Sequence, residues 1–405
     1  MTTNLGRAYV VAAWLSVLVA QSSAYALLPR GVRICGPPNR VARPSMDLQS
    51  ESVEHWLQDC SAAAHDGLNE VLLAIVDSCK LVSEKIGTAS CDSTSCFSTL
   101  PGELYEDRDD DEEDGGEMLA IDLLAEEVLF AALSRTGRVA VASSESDQLM
   151  RHLQVAPTLE EASEGSLPPS PPFFSVSLDP LDGASIIDTN FAVGTIFAVY
   201  RGSTLRNVTG RELLAAGACC YGPRTTLTLA LADEPGAHEF LLMNDRWLPS
   251  NVYEGMREHG KLCAPGNLRA TASNERYAAL VRLWQQDRYT LRYTGGLVTD
   301  VMQLIIKRHG IFTSAPAEDE RPSLLLLHEA IPMAFLVEKA RGASSDGTGT
   351  SLLDLRVVEL DARTQVALGS PGDVQRFDEV VGAWVGAAHE AAPALHLDAA
   401  EVGKV

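Results

Sequence analysis

Residues 174–185 read Phe-Ser-Val-Ser-Leu-Asp-Pro-Leu-Asp-Gly-Ala-Ser, a strand pattern that ends in a turn with two carboxylates. Apolar and polar residues alternate from Phe174 to Leu178, and this period of two predicts a half-buried strand. The proline fixes its own backbone torsion, and the glycine allows the chain to bend back towards a helix start. Asp179 and Asp182, with the carbonyl of the leucine between them, are hard oxygen donors of the kind that Mg²⁺ prefers. For this fragment alone, an ordinary turn is the simpler interpretation.

The turn is one of several motifs that follow one another over residues 51–385. The others are residues 193–197, 221–226, 265–270, 291–296 with Asp300, 310–313, 344–347 and 363–367. With these motifs the chain resembles the sugar bisphosphatases of the fructose-1,6-bisphosphatase superfamily, and it looks most like the plastid sedoheptulose-1,7-bisphosphatases of the Calvin cycle. The resemblance implies an α/β (α+β) fold, a layered α-β-α-β-α sandwich with two subdomains and a metal site at their junction.

The resemblance also implies a metal site built from oxygen donors that lie far apart in the sequence. It assigns two or three Mg²⁺ ions to Glu145, Asp179, Leu181 through its carbonyl, Asp182 and Glu329. It assigns catalysis to Glu145 and Asp122, which activate the attacking water. Phosphate esters need this help because water must attack an anionic phosphorus and the alkoxide is a poor leaving group. Without the resemblance, Glu145 and Asp122 are more simply interpreted as surface charges.

Sugar-phosphate binding is expected at the same turn and at three positions of the second half. Backbone N–H groups beside a helix start form an anion cradle, which predicts phosphate binding after Asp182. By resemblance, the substrate-binding residues are Asp182, Gly183, Ala184, Ser185, Asn267, Arg292 and Tyr293. In related fructose enzymes the arginine at the position of Arg292 reaches a neighbouring subunit, which implies a homo-oligomer, either a dimer or a tetramer. His328, next to Glu329, is interpreted as a structural histidine rather than a catalytic base.

Four positions depart from the family pattern. Gly116 and Ser146 stand where the family has acidic residues, and Ser323 and Leu325 stand where it has a lysine and an arginine. Arg321 is the candidate replacement for the missing cations. Three interpretations therefore stay open: a Mg²⁺-dependent 1-phosphatase of sedoheptulose 1,7-bisphosphate, an enzyme that acts on fructose 1,6-bisphosphate alone or as well, and a catalytically weakened paralogue. The paralogue would bind a sugar phosphate or a partner and report redox state.

The eight cysteines do not have the paired spacing of a zinc site. By resemblance to the plastid enzymes, Cys91 and Cys96 form a disulfide that thioredoxin reduces, and two unpaired thiols are the alternative. An acidic loop, residues 106–114, follows the pair. It either transmits the thiol state to the metal site or is an insertion without a role.

Charge and the N-terminal sequence bound the partners and the location. The 405-residue chain has a formal net charge of −23, which argues against non-specific binding to nucleic acid. Residues 1–26 resemble a signal peptide that is too short for stable membrane insertion, and residues 27–50 are basic and acid-poor like a transit peptide. Together they predict a bipartite leader for the plastid stroma, with a secreted protein as the alternative. The rest is expected to form a metal-binding subdomain with the cysteine loop (51–250), a sugar-phosphate subdomain (251–390) and a tail (391–405).

Overall fold

The computed structural model describes residues 52–60, 67–88, 120–153 and 174–384. Both leader segments, the cysteine pair, the acidic loop and the C-terminal tail of the sequence analysis lie outside the described residues. None of the described helices is both long enough and apolar enough to cross a membrane.

Seven α-helices occur in the described residues. They are α1 (Val53–Asp59), α2 (Leu68–Thr88), α3 (Ala120–Thr136), α4 (Glu275–Gln286), α5 (Leu297–Lys307), α6 (Ile331–Lys339) and α7 (Pro371–Val380). Short 3₁₀ helices occur at Ala184–Ile186, Gly210–Glu212, Leu268–Ala272 and Leu352–Asp354, and a π-helical turn at Leu326–Ala330. Buried positions in α2 recur three or four residues apart, which is typical of a helix with one face in the core.

The larger sheet contains eight strands of the described residues. They are β1 (Val139–Ser144), β2 (Arg151–His152), β3 (Phe174–Asp182), β4 (Val193–Arg201), β5 (Leu213–Tyr221), β6 (Thr225–Leu231), β7 (Ala237–Met243) and β8 (Arg246–Tyr253). Their order is β2-β1-β3-β4-β5-β6-β7-β8, with β1 and β3 parallel and the other neighbours antiparallel. Tyr253 still pairs with Ala237, so the sheet continues past the expected subdomain boundary at residue 250.

β3 is buried on both faces, although its alternating pattern predicts one exposed face. Its apolar side chains join the core beside α2 and α3. On the other face, the hydroxyls of Ser175 and Ser177 donate hydrogen bonds to the carbonyls of Thr204 and Leu327 at 3.0 and 3.3 Å. The prediction of a half-buried strand is therefore wrong about exposure, because a second layer covers the polar face and satisfies its hydroxyls.

The smaller sheet belongs to the second half of the chain. Its strands are β9 (Leu262–Pro265), β10 (Thr290–Leu291), β11 (Ile311–Ser314), β13 (Ala343–Ser345) and β15 (Val366–Gly369), while β12 (Leu324–Leu325) pairs separately with β14 (Arg363–Thr364). The order is β10-β9-β11-β15-β13. On β11, Phe312 faces the core that this sheet shares with the larger one, and Ile311 faces the core beneath α4 and α7.

Helices and sheets alternate in five layers. α2 and α3 cover one face of the larger sheet, α5 and α6 lie between the two sheets, and α4 and α7 cover the far face of the smaller sheet. This packing confirms the predicted α-β-α-β-α sandwich. Gly194 of β4 permits the close approach of the middle layer, because a Cβ there would lie 2.6 Å from the Cβ of Val298. The start of α5 is thereby brought against the end of β3.

Candidate active site

The two aspartates of the turn flank a bulge in β3. Between Asp179 and Asp182, both Pro180 and Leu181 lie opposite the single residue Thr195 of β4. Such a bulge bends the strand and re-aims its side chains. The Thr195 hydroxyl donates a hydrogen bond of 2.8 Å to the carbonyl of Pro180. The bulge is therefore tied to β4, and Leu181, the expected carbonyl ligand, lies within it.

Asp179 is a deeply buried carboxylate with 1% of its surface exposed. Neither of its oxygens accepts a hydrogen bond from an N–H or hydroxyl group of the described residues. Burial raises its pKa well above the ordinary value, and the charges of Glu145, Asp182 and Glu329 raise it further. The charged form of such a group is costly in a protein interior. Because these charges raise the pKa of Asp179, the carboxylates of Glu145, Asp182 and Glu329 lie close enough to repel it.

Asp182 is held against the start of α5. Its Oδ1 accepts a hydrogen bond from the backbone N–H of Leu297 at 2.9 Å, and its Oδ2 accepts one from Val298 at 2.7 Å. The first N–H groups of a helix have no partner within the helix and lie at the positive end of its dipole, so they favour the ionised carboxylate. Burial outweighs these bonds and, with the charges of Glu145 and Asp300, raises the pKa of Asp182 to about 7.

Two further carboxylates reach the turn from other elements. Glu145 follows β1, and its backbone N–H donates to the carbonyl of Leu178 at 3.0 Å. Glu329 lies in the π-helical turn Leu326–Ala330, and its Oε2 accepts a hydrogen bond from the backbone N–H of Leu325 at 2.6 Å. Burial and the charge of Glu145 raise the pKa of Glu329 well above its ordinary value. Such turns are frequent at functional sites, and this one brings Glu329 to the other carboxylates.

We refer to Glu145, Asp179, Asp182 and Glu329 as the acidic cluster. In the part of the chain that the structure describes, no three acidic, histidine or cysteine side chains already surround one metal position. The chemistry of the acidic cluster nevertheless fits divalent cations, because its side-chain donors are all hard carboxylate oxygens and those of Asp179 have unused acceptor capacity. A bound cation would offset the repulsion that raises the pKa of Asp179. These residues could therefore hold a divalent metal.

The remaining catalytic and substrate-binding residues that the resemblance assigns to the first half of the chain lie on α3 and after the turn that ends β3. Asp122 is half-buried in the first turn of α3. Gly183 has a φ of +84°, which favours glycine, and it begins the 3₁₀ helix Ala184–Ile186, where Ser185 is exposed. The expected helix start is thus a single short turn. The polar residues 188–190 that follow form turns instead of continuing a helix.

The residues expected to bind the remote phosphate gather at one end of the smaller sheet. The hydroxyl of Tyr293 donates to the carbonyl of Gly266 at 2.9 Å, next to Asn267. The backbone N–H of Arg292 donates to β9 at 2.9 Å, and its side chain is exposed. The chain runs from Tyr293 directly into α5, whose start binds Asp182. The residues expected to bind the remote phosphate are therefore linked to the acidic cluster through the start of α5.

Arg363 is a cation near the acidic cluster that the sequence analysis does not identify. It pairs with Leu325 across β12 and β14, and its guanidinium donates to the carbonyl of Ser323. Its charge opposes the rise in the pKa of Glu329. Arg321, the expected replacement, is exposed, as is Arg363. Arg363 therefore lies beside both positions that lack the expected lysine and arginine, and only the strand pairing reveals it.

His328 is a fully buried histidine that ties the π-helical turn to β1. Burial lowers its pKa to about 3, so the ring is neutral, and its Nε2 lies 3.0 Å from the Ser143 hydroxyl. Ser177, the partner of Ser143 in the β1–β3 pair, donates to the carbonyl of Leu327. Two neighbouring strands thus anchor the turn that carries Glu329. This geometry supports the interpretation of His328 as a structural residue.

Known proteins match most of the chain. The models of the fructose-1-6-bisphosphatase N-terminal and C-terminal domains match residues 52–248 and 256–382. The chloroplastic sedoheptulose-1,7-bisphosphatase of Spinacia oleracea is 42% identical over 82% of this chain and 78% of its own, and the class 1 fructose-1,6-bisphosphatase of Geobacter metallireducens is 37% identical over 66% and 80%. A Toxoplasma gondii crystal structure, provisionally assigned as a sedoheptulose-1,7 bisphosphatase, has a TM-score of 0.69 at 29% identity and covers 82% of this chain and 98% of that one. The chain belongs to the fructose-1,6-bisphosphatase family.

Proposed function

We propose that this protein is a Mg²⁺-dependent 1-phosphatase that converts sedoheptulose 1,7-bisphosphate to sedoheptulose 7-phosphate in the Calvin cycle. The observation that carries the proposal is the acidic cluster around the buried carboxylate of Asp179, which accepts no hydrogen bond from an N–H or hydroxyl group of the described residues, in a chain of the fructose-1,6-bisphosphatase family. This family hydrolyses phosphate esters with divalent metal ions. The sedoheptulose enzymes among the relatives support the choice of sugar.

The residues of the acidic cluster and its surroundings have distinct roles in this reaction. Divalent cations, when bound, supply positive charge that promotes attack by water and offsets charge on the leaving oxygen. The acidic cluster and the Leu181 carbonyl hold these cations. Asp122 and Glu145 orient the attacking water in line with the leaving oxygen and accept its proton.

The sugar bisphosphate is held at both ends. Asp182 and residues 183–185 form the turn at the ester that is cleaved, where backbone N–H groups meet phosphoryl oxygens. Asn267, Arg292 and Tyr293 hold the remote phosphate. Two fixed ends align the reacting ester with the water, and such alignment lowers the entropic part of the barrier.

Two other activities are testable alternatives. Fructose 1,6-bisphosphate is a second substrate, alone or in addition, because the family contains enzymes for that sugar. A catalytically weakened paralogue is favoured by Gly116 and Ser146, which replace acidic residues of the family pattern, and by Ser323 and Leu325, which replace cations. Arg363 lies beside the last two positions, and this cation favours a competent enzyme.

Phosphate release from the two bisphosphates tests the proposal. The purified protein is assayed with Mg²⁺ and with EDTA, before and after reduction by a dithiol. We expect Mg²⁺-dependent release with a higher kcat/KM for sedoheptulose 1,7-bisphosphate than for fructose 1,6-bisphosphate. The reverse preference would assign the fructose activity. No release from either sugar by the reduced, Mg²⁺-supplied protein would leave the weakened paralogue.

We further propose that the protein acts in the plastid stroma as a homo-oligomer, dimer or tetramer, and that thioredoxin activates it. Chloroplastic relatives support the location. The basic, acid-poor sequence after the signal-like segment supports a leader for this compartment. Fusion of residues 1–50 to a fluorescent protein tests the location, and entry into the plastid is the expected result.

Cys91→Ser is expected to make the activity independent of dithiol, because a single remaining thiol cannot form the proposed bridge with Cys96. Phosphate release is measured at fixed Mg²⁺ after oxidation and after reduction. Cys60→Ser is the control and should keep the wild-type response, since burial raises the pKa of that thiol to about 12 and leaves little thiolate to react. A Cys91→Ser protein that still responds to dithiol would assign the response to other cysteines.

A further inference from the structure

We propose that Glu126 is a positioning residue of this active site, a buried carboxylate that fixes the loop carrying Glu145. The proposal rests on the proposed function, since Glu145 is there both a metal ligand and a catalytic group. Glu126 belongs to α3 and has 5% of its surface exposed. It forms polar contacts with the last residue of β1, with Ser146 and with the first residue of β2.

Both chain neighbours of Glu145 are bound to this carboxylate. Oε2 of Glu126 accepts a hydrogen bond from the Ser144 hydroxyl at 2.9 Å and another from the Ser146 hydroxyl. The two serine hydroxyls lie 3.1 Å apart, so they converge on the same oxygen. Since the residues on either side of Glu145 are held towards α3, the backbone at Glu145 cannot rotate freely.

A second contact fixes the far end of the same loop. Arg151, the first residue of β2, forms an ion pair of 2.5 Å with Oε1 of Glu126 and one of 2.9 Å with Asp147. The guanidinium also lies over the ring of Phe130, 4.6 Å from its centre. Glu126 therefore binds the residues on both sides of Glu145 through Oε2 and the far end of the loop through Oε1.

The contacts of Glu126 are those of a residue that positions a loop, and they leave no oxygen for a metal ion. Both of its oxygens are already engaged, and Arg151 compensates its charge. Asp122 lies one helical turn earlier on α3, so the same helix positions both proposed catalytic groups. The carboxylate thus sets the distance between Asp122 and Glu145, on which alignment of the attacking water depends.

Ser146 acquires a role from this geometry. This serine stands where the family pattern has an acidic residue. In the structure its hydroxyl points to Glu126, and a glutamate there would place a second carboxylate against the first. Glu126 and Ser146 therefore act together to hold the loop. Glu145 is the single glutamate of this loop.

Glu126→Gln tests the proposal, because the amide keeps the size of the side chain but loses the ion pair with Arg151 and one acceptor atom. We expect kcat for sedoheptulose 1,7-bisphosphate to fall about 10- to 100-fold, the effect typical of residues that orient metal ligands. The KM for the sugar should change less than threefold. Mn²⁺ binding without substrate, followed by electron paramagnetic resonance, should weaken about tenfold. Glu127→Gln, the same change at the exposed neighbour, should leave kcat and Mn²⁺ affinity at wild-type values.

Ser146→Ala and Ser146→Thr provide a second pair if Glu126→Gln does not fold. The alanine variant should lose activity and Mn²⁺ affinity, and the threonine variant, which keeps the hydroxyl, should recover most of both. Wild-type kcat and Mn²⁺ affinity in Glu126→Gln, or in Ser146→Ala, would overturn the inference. If the wild-type protein releases no phosphate, the proposed function fails, while a loss of Mn²⁺ affinity confined to the Glu126 and Ser146 variants would still support the positioning role.

Discussion

Asp179→Asn is expected to abolish phosphate release, with kcat lower by at least about a thousandfold. Burial and the charges of the other three members of the acidic cluster raise the pKa of Asp179, and neither of its carboxylate oxygens accepts a hydrogen bond from an N–H or hydroxyl group of the described residues. An amide is a weaker ligand for a hard cation and carries no charge to hold it. The measurement is phosphate release from sedoheptulose 1,7-bisphosphate at saturating Mg²⁺, together with Mn²⁺ binding in the absence of the sugar.

The same substitution is expected to stabilise the metal-free protein. Without a cation, Asp179 is buried among like charges that raise its pKa, and a neutral amide removes that repulsion. We expect the thermal midpoint in EDTA to rise by about 1–2 °C, the shift that corresponds to roughly 1 kcal/mol in a chain of 405 residues. With saturating Mg²⁺ the order should reverse, because only the wild-type protein gains stability from binding the ion.

Asp188→Asn is the matched control for both measurements. Asp188 is an exposed aspartate of the segment after the same turn, so the change of charge is identical and the acidic cluster is intact. It should keep wild-type turnover and a wild-type midpoint. Near-normal turnover in Asp179→Asn would mean that the metals bind elsewhere in the protein.

The stability of the metal-free protein should fall as pH rises from about 4 to about 7. Burial raises the pKa of Asp182 from an ordinary value of 3.8 to about 7, so between these values the unfolded chain loses its proton while the folded chain keeps it. The folded state then binds more protons, and the free energy of unfolding decreases by up to about 1.4 kcal/mol per pH unit for each such group. Asp179 and Glu329, whose pKa values are also raised, act in the same direction.

Mg²⁺ should remove this pH dependence, because a cation that binds the ionised acidic cluster displaces the protons. Urea unfolding in EDTA and in Mg²⁺ at several pH values from 5 to 8 measures both slopes. Asp182→Asn should make the slope in EDTA shallower without removing it, because Asp179 and Glu329 still titrate, whereas Asp188→Asn should leave the slope unchanged. Equal slopes with and without Mg²⁺ would show that the cation does not bind the groups that titrate.

Local patterns in the sequence were sufficient for much of the fold. The alternation that ends at Leu178 predicts β3, the Asp-Pro-Leu-Asp-Gly turn predicts its end, and the spacing of apolar residues from Val71 to Val82 predicts α2. The order of the motifs pointed to the layered sandwich through family resemblance. The exposure of β3 was not predictable, because what covers its serine face is a turn at Leu327 that lies 150 residues away in the chain.

The amino-acid sequence by itself determined several elements and their order, since propensity, period and turn chemistry act between residues close together in the chain. Glu145 and Glu329 were assigned to the site of Asp179 and Asp182 only through the family resemblance. Only the tertiary structure decided which side chains became partners. Glu126 binds the neighbours of Glu145, Arg363 lies opposite Leu325, and Ser143 reaches His328 across 185 positions. These contacts depend on strand order and on the packing of one layer against the next. Local patterns in the sequence predict neither of these.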